Sequence, residues 1–169
     1  MHDDIEHLRV WRNDRHATRF LRQIGHITPE MQEKWFETYL GNNKEITFAI
    51  VETERIGGIV GSISIYDIEG DTAEFGKLQI GEQRAHGMKI GSIATAMALA
   101  VAFDKIGITR IVGCVHRENI AAHKSYMRIG FKITGEQPAA VGGMEDLIEI
   151  DKETLLRVND YAKDFILED

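Results

Sequence analysis

The chain has 169 residues, 43% hydrophobic and 28% charged, enough for one domain with a sizeable core and short of two. Its 27 acidic against 20 basic residues give a formal net charge of −7, which argues against a nucleic-acid or anionic-membrane surface and leaves room for a local basic pocket or a cationic acceptor. One cysteine, Cys114, cannot close an internal disulfide, and no apolar stretch approaches the roughly 20 residues of a membrane span, so the expectation is a single-domain, cytoplasmic protein with no nucleic acid or membrane among its partners.

Residues Ile5 to Leu21 read as helical, with a break near Asn13-Asp14. Thr28-Pro29-Glu30 is a helix start, a capping hydroxyl followed by proline at the first helical position and an acid at the positive end of the dipole. That helix runs to about Leu40 and stops at Gly41. Three strands follow, Ile46 to Val51, Ile59 to Ile68 and Ala73 to Ile80, with polar turns at Glu52-Thr53-Glu54 and Glu69-Gly70-Asp71, and their spacing predicts an antiparallel meander. After Gly91 the order becomes helix, strand (Arg110 to His116), helix (Asn119 to Ile129) and strand (Phe131 to Gly135), then a last strand over Asp146 to Ile150 and a helix over Lys152 to Phe165. The pattern is α/β, a mixed sheet covered by helices.

Two segments carry chemistry. The turn His86-Gly87-Met88-Lys89-Ile90-Gly91-Ser92 precedes a helix with no acid in its first turns and apolar residues on nearly all sides, from Ile93 to Phe103, closed by Gly107. Such a helix start presents free backbone N–H groups to an anion, and Arg84, His86 and Lys89 add positive charge suited to a pyrophosphate. Taken alone, the same turn is an ordinary strand-to-helix connection. The second segment is the helix beginning at Asn119, where offsets of zero, three and seven put Asn119, Ala122 and Tyr126 on one stripe with a small residue between an amide and a phenol. Asn119 also suits an N-cap, and Tyr126 a core tyrosine.

From about Trp11 to Gly135 the chain resembles the GNAT superfamily of acetyl-CoA-dependent N-acetyltransferases. The family's pyrophosphate motif, Gln/Arg-x-x-Gly-x-Gly/Ala, falls on His86 to Gly91, with Gly91 kept, Lys89 in place of the first motif glycine and His86 in place of Gln/Arg. An alternative register, Arg84-x-x-Gly87-x-Lys89, keeps the arginine and loses the last glycine. The family's second-helix pattern Asn-x-x-Ala-x-x-x-Tyr-x-x-x-Gly-Phe is met at Asn119, Ala122, Tyr126, Gly130 and Phe131.

The resemblance implies a GNAT-like fold, a mixed and mostly antiparallel sheet flanked by helices. It implies acetyl-CoA as cosubstrate, no metal, and an amine acceptor on a small molecule or a protein N-terminus, with the protein a monomer or homodimer. Cofactor contacts are expected from His86, Gly87, Met88, Lys89, Ile90, Gly91 and Ser92, from Asn119 and Tyr126, and from the strand end Leu78-Gln79-Ile80, where a bulge aims an N–H at the thioester oxygen. Tyr126 is the expected acid for the CoA thiolate. Glu74 is the candidate base, with a water chain or an exposed strand carboxylate as the other readings. Trp11-Arg12-Asn13, with Phe20 and Leu21, resembles the acceptor-side helices of branches that modify ribosomal-protein N-termini or nucleotide-linked amino sugars, which makes Trp11 and Arg12 expected acceptor contacts, or simple packing. His116, at the end of its strand, is expected to face the same cleft. Family members usually open with a strand that has no counterpart here before the first helix. A non-catalytic acetyl-CoA-binding module is the alternative function. A nucleoside-triphosphate enzyme is disfavoured, because Gly-x-x-x-x-Gly-Lys-Ser/Thr does not occur.

Overall fold

The computed structural model describes residues 4–22, 24–160 and 162. Helices α1 (Ile5–Asn13) and α2 (Pro29–Leu40) lead into strands β1 (Ile46–Glu52), β2 (Gly58–Glu69) and β3 (Thr72–Ile80). Helix α3 (Ile90–Val101), β4 (Arg110–His116), α4 (Ile120–Ile129), β5 (Lys132–Pro138), β6 (Met144–Asp151) and α5 (Lys152–Val158) complete the order. Thr28 caps α2 through its hydroxyl, which accepts from the Met31 N–H at 3.3 Å, and Pro29 occupies the first turn as expected. The expected helix to Phe165 runs from Lys152 to Val158; most of its C-terminal part lies outside the described residues.

The six strands form one sheet in the order β1-β2-β3-β4-β6-β5. Every neighbouring pair is antiparallel except β3 with β4. The meander β1-β2-β3 is as the turn spacing predicts. β6 inserts between β4 and β5, which leaves β5 at an edge, where Pro138 can end it without costing a ladder bond. The core lies between the sheet and α3, α4 and α5, around Val60, Ile63, Ile65, Phe75, Leu99, Ile111, Ile129, Ile148 and Leu155. β2 is buried continuously from Val60 to Ile65, because α1 and α3 contact it and it is central in its half of the sheet.

Helix α3 starts three residues earlier than the apolar run suggests, so Ile90-Gly91-Ser92 is its first turn. Past Val101 it widens into a π-helical turn over Ala102–Ile106 and closes at Gly107, whose φ of 82° is the left-handed conformation that ends helices. No helix among the described residues is long and apolar enough to cross a membrane.

Candidate active site

β3 and β4 pair at only three positions, Thr72 with Arg110, Ala73 with Ile111 and Glu74 with Val112. Beyond them β3 continues from Phe75 to Ile80 and β4 from Gly113 to His116 without pairing, so the sheet forks. A cavity of about 710 Å³ opens at the fork. Its walls are Phe75 to Gln79 of β3, Cys114 to His116 of β4, Asn119, Ala122 and Tyr126 of α4, and residues of α1, α2 and the segment between them. A strand edge left unpaired beside a cavity offers backbone donors and acceptors to an extended ligand.

β3 is bulged at that edge. Ser62 faces Gln79 and Ser64 faces Gly76, so Lys77 and Leu78 together oppose Ile63. Lys77 has a φ of 51°, and the extra residue re-aims the backbone within the cavity wall. Gly76 packs closely on a neighbour: a Cβ there would lie 3.1 Å from the Tyr66 hydroxyl oxygen, tight enough that the ring would have to give. Leu78 and Gln79 line the cavity, and the Gln79 side chain donates to the Trp11 carbonyl at 2.6 Å, tying α1 to β3. Ile80 turns its carbonyl to the His86 ring at 3.0 Å, which anchors the following turn.

In that turn Gly87 (φ 81°) and Lys89 (φ 61°) are both left-handed. Lys89 thus holds a conformation that glycine adopts without strain, at the position where the motif expects glycine. Among the described residues the N–H groups of Gly87, Lys89, Ile90 and Gly91 bond to no protein acceptor, while those of Ser92 and Ile93 return to the Lys89 carbonyl. A Cβ built on Gly91 would stand 3.7 Å from the side chains of Leu78 and Ile80, so this amide cluster sits beside the end of β3. Ser92 Oγ and Ser125 Oγ are 2.6 Å apart and lock α3 to α4.

On α4, Asn119 is the N-cap, its Oδ1 accepting from the Ala122 N–H at 3.3 Å, and it also lines the cavity. Tyr126 is buried with its ring against Phe75 and Phe131, and it too reaches the cavity. Burial, with a smaller contribution from nearby Cys114, pushes its phenol up to about 12.

The sequence model described as the acetyltransferase (GNAT) domain matches residues 1–132. The chain belongs to the GNAT acetyltransferases. It is therefore an N-acetyltransferase by family, with acetyl-CoA as the family's donor. No curated protein matches the chain by sequence. Among solved structures it is similar to spermidine N-acetyltransferase from Vibrio cholerae in complex with CoA and spermine, at a TM-score of 0.83, 18% identity, and coverage of 92% of this chain and 94% of that one. A domain from Methanocaldococcus jannaschii superposes at 0.74 with 23% identity over 89% and 94% of the two chains. A GNAT-family acetyltransferase from Bacillus anthracis superposes at 0.72 with 19% identity over 89% and 90%. At these identities the likeness is one of fold.

The remaining residues expected in the acetyltransferase site fall in three places. Glu74 lies behind the cavity wall, its carboxylate accepting from the Tyr66 phenol at 2.5 Å, and Tyr66 is the residue that lines the cavity. Burial first, and the Glu74 bond second, push the Tyr66 phenol far above its ordinary range. His116 lines the cavity with both ring nitrogens engaged: Nδ1 accepts from the Glu118 N–H at 3.2 Å, so Nε2 donates to the Gly142 carbonyl at 2.7 Å. It is a bonded wall residue that pins the β5–β6 turn. Arg12 lines the cavity, whereas Trp11 packs on Gly81 outside it. Sequence reasoning passed over Tyr66, Glu45 and Glu145, all in the wall. Glu45 is paired with Lys77 at 2.6 Å, and Glu145 accepts from Gln137 at 2.7 Å. Their proximity depends on strand register across the sheet, for which the sequence carries no local signal. Among the described residues no cluster of three or more His, Cys, Asp or Glu could hold a metal.

Proposed function

We propose that the protein moves the acetyl group of acetyl-CoA to a primary amine of a small molecule or a protein N-terminus, by direct attack of the amine on the thioester. The reading rests above all on the fork: a cavity between unpaired strand edges, with the Tyr126 phenol in its wall and free amides beside the end of β3. In this reading the amides of Gly87, Lys89, Ile90 and Gly91 hold the diphosphate, Asn119 and the Leu78–Ile80 edge hold the pantetheine arm, and a donor at the Lys77–Leu78 bulge stabilises the oxygen charge that develops during attack. One such donor is worth about 3 kcal/mol.

The attacking amine must be neutral. For an alkylamine of pKa about 10, deprotonation at pH 7 costs roughly 4 kcal/mol; an amine of pKa about 8 costs far less. A water route then suffices, with Glu145 as the carboxylate in the wall and Glu74 acting through Tyr66. Tyr126 is the acid for the leaving thiolate: its phenol lines the cavity, and burial pushes it up to about 12, so it stays protonated at neutral pH.

The test is a thiol-release assay with acetyl-CoA and a panel of primary amines, alongside calorimetry with CoA. Acceptor-dependent release together with binding is the expected result. Absence of CoA binding overturns the reading.

A further inference from the structure

The last turn of α1 and the segment joining it to α2 carry an unusual density of arginine for an acidic chain. Arg12, Arg15, Arg19 and Arg22 fall within eleven residues while the whole chain has a formal charge of −7. None of the four forms an ion pair among the described residues, whereas Arg84, Arg110 and Arg117 each hold a carboxylate. Arg12 donates instead to the Arg22 carbonyl, and Arg19 lies over the Phe20 ring at 4.8 Å. Phe20 in turn rests on the His116 ring, centroids 5.0 Å apart, which holds this segment across the acceptor side of the fork.

Two smaller cavities open around these side chains. One, of about 220 Å³, is lined by Arg12, Arg15 and Arg22 with Asn13, Thr18 and His26. The other, of about 680 Å³, lies between Arg15, Arg19, Arg22 and the turn residues Ala140 and Val141. Both share walls with the main cavity: the first through Arg12 and Arg22, the second through Arg22, Ala140 and Val141. Of the carboxylates in the main cavity, Glu45 is paired with Lys77, and Glu145 accepts one hydrogen bond from the Gln137 amide. Burial holds the Arg12 guanidinium below its ordinary range, a cost that an anion beside it would relieve.

We propose that the acceptor is an amine bearing an anionic group, a carboxylate or a phosphate, which docks on Arg15, Arg19 and Arg22 while its amine enters the fork. This deepens, and rests on, the acetyltransferase reading. Guanidinium forks grip either oxyanion in a bidentate manner and repel polyamines, so this chain separates from the spermine-bound relative in acceptor charge while sharing its fold.

The experiment compares amino sugars with their phosphates, and amino acids with their amides, plus spermine, at fixed ionic strength in the thiol-release assay. The same series is run on Arg15→Gln/Arg19→Gln, two exposed positions whose loss should leave folding intact. The anionic member of a pair should give kcat/KM higher by about tenfold or more, and the variant should lose that advantage with its CoA affinity unchanged. The sugar and amino-acid arms separate a phosphate from a carboxylate. As a readout independent of turnover, inorganic phosphate and succinate are titrated by calorimetry into the CoA-saturated protein, and the variant should lose the binding seen in wild type. Equal rates within pairs, a preference for spermine, or anion binding unaltered in the variant would overturn the proposal. Loss of CoA binding would instead sink the reading beneath it.

Discussion

The Tyr126 ring meets the Phe75 ring edge-on, with centroids 5.0 Å apart at 85°. Phe75 is the first residue of β3 beyond its last pair with β4, so the contact places the phenol where the strands part. Replacing Tyr126 by Phe keeps that contact and removes only the hydroxyl. The expected result is a fall in kcat of about 10² to 10³, with CoA affinity within about twofold of wild type. Unchanged kcat by stopped thiol-release measurements would remove Tyr126 from the chemistry.

The pH profile gives a second test of the same group. With its phenol pushed up to about 12, Tyr126 stays protonated through the neutral and mildly alkaline range. The rate should rise with pH as the amine loses its proton, and no descending limb should come from this acid below about pH 10. A descending limb centred near pH 8 or 9, lost in Tyr126→Phe, would contradict the burial of the phenol.

Most strands and helices were legible because their signals are local. Thr28-Pro29 announces α2, and Asn119 to Phe131 carries α4 in its own spacing. The fork was not legible. Whether Glu74 faces a ligand or a neighbouring strand depends on Tyr66 standing opposite it in the β2–β3 register, a long-range fact. The insertion of β6 between β4 and β5 is equally non-local, and it brings Glu145 opposite His116. Lys89 departs from the motif in residue type, and its left-handed backbone is a conformation that glycine would adopt without the strain the lysine bears.

That strain predicts an uncommon mutational outcome. Lys89→Gly should leave stability unchanged or raise it by up to about 1 kcal/mol, since a side chain at positive φ costs about that much. CoA affinity should fall about fivefold or less, through the lost surface charge alone. Lys89→Val, β-branched and ill-suited to positive φ, should lower both stability and affinity further. Thermal unfolding and calorimetry on the pair decide it; a less stable Lys89→Gly would mean that the lysine side chain, rather than the backbone shape, holds the turn.

Asp146 couples the end of the fork to acid stability. Its carboxylate takes hydrogen bonds from His123 at 2.9 Å and Arg117 at 2.8 Å, and these, His123 first, hold it below the ordinary aspartate range. A depressed folded-state pKa contributes stability above the unfolded value of about 3.9 and loses it as pH falls through the folded value. Asp146→Asn should therefore be less stable than wild type in urea at neutral pH, and the difference should shrink as the pH drops below about 4. A gap that stays constant down to acid pH would show that shape, and not charge, accounts for the loss.

Gly81 carries the most restrictive contact between α1 and the end of β3. A Cβ there would lie 2.0 Å from Trp11 Cγ and 2.1 Å from Cδ2, so the indole cannot keep its place in Gly81→Ala. Displacing it strains the Gln79–Trp11 tether and moves Arg12, the next residue, out of the cavity wall. The amides of the turn before α3 are anchored separately, through His86 and Ile80. Gly81→Ala should thus lose about 1 to 3 kcal/mol of stability and raise the acceptor KM while leaving CoA affinity within about twofold. Trp11→Ala in the same background should recover part of the stability, because the overlap goes with the ring, and should leave the raised KM in place. If the double variant regains normal acceptor KM, the indole has no part in positioning Arg12.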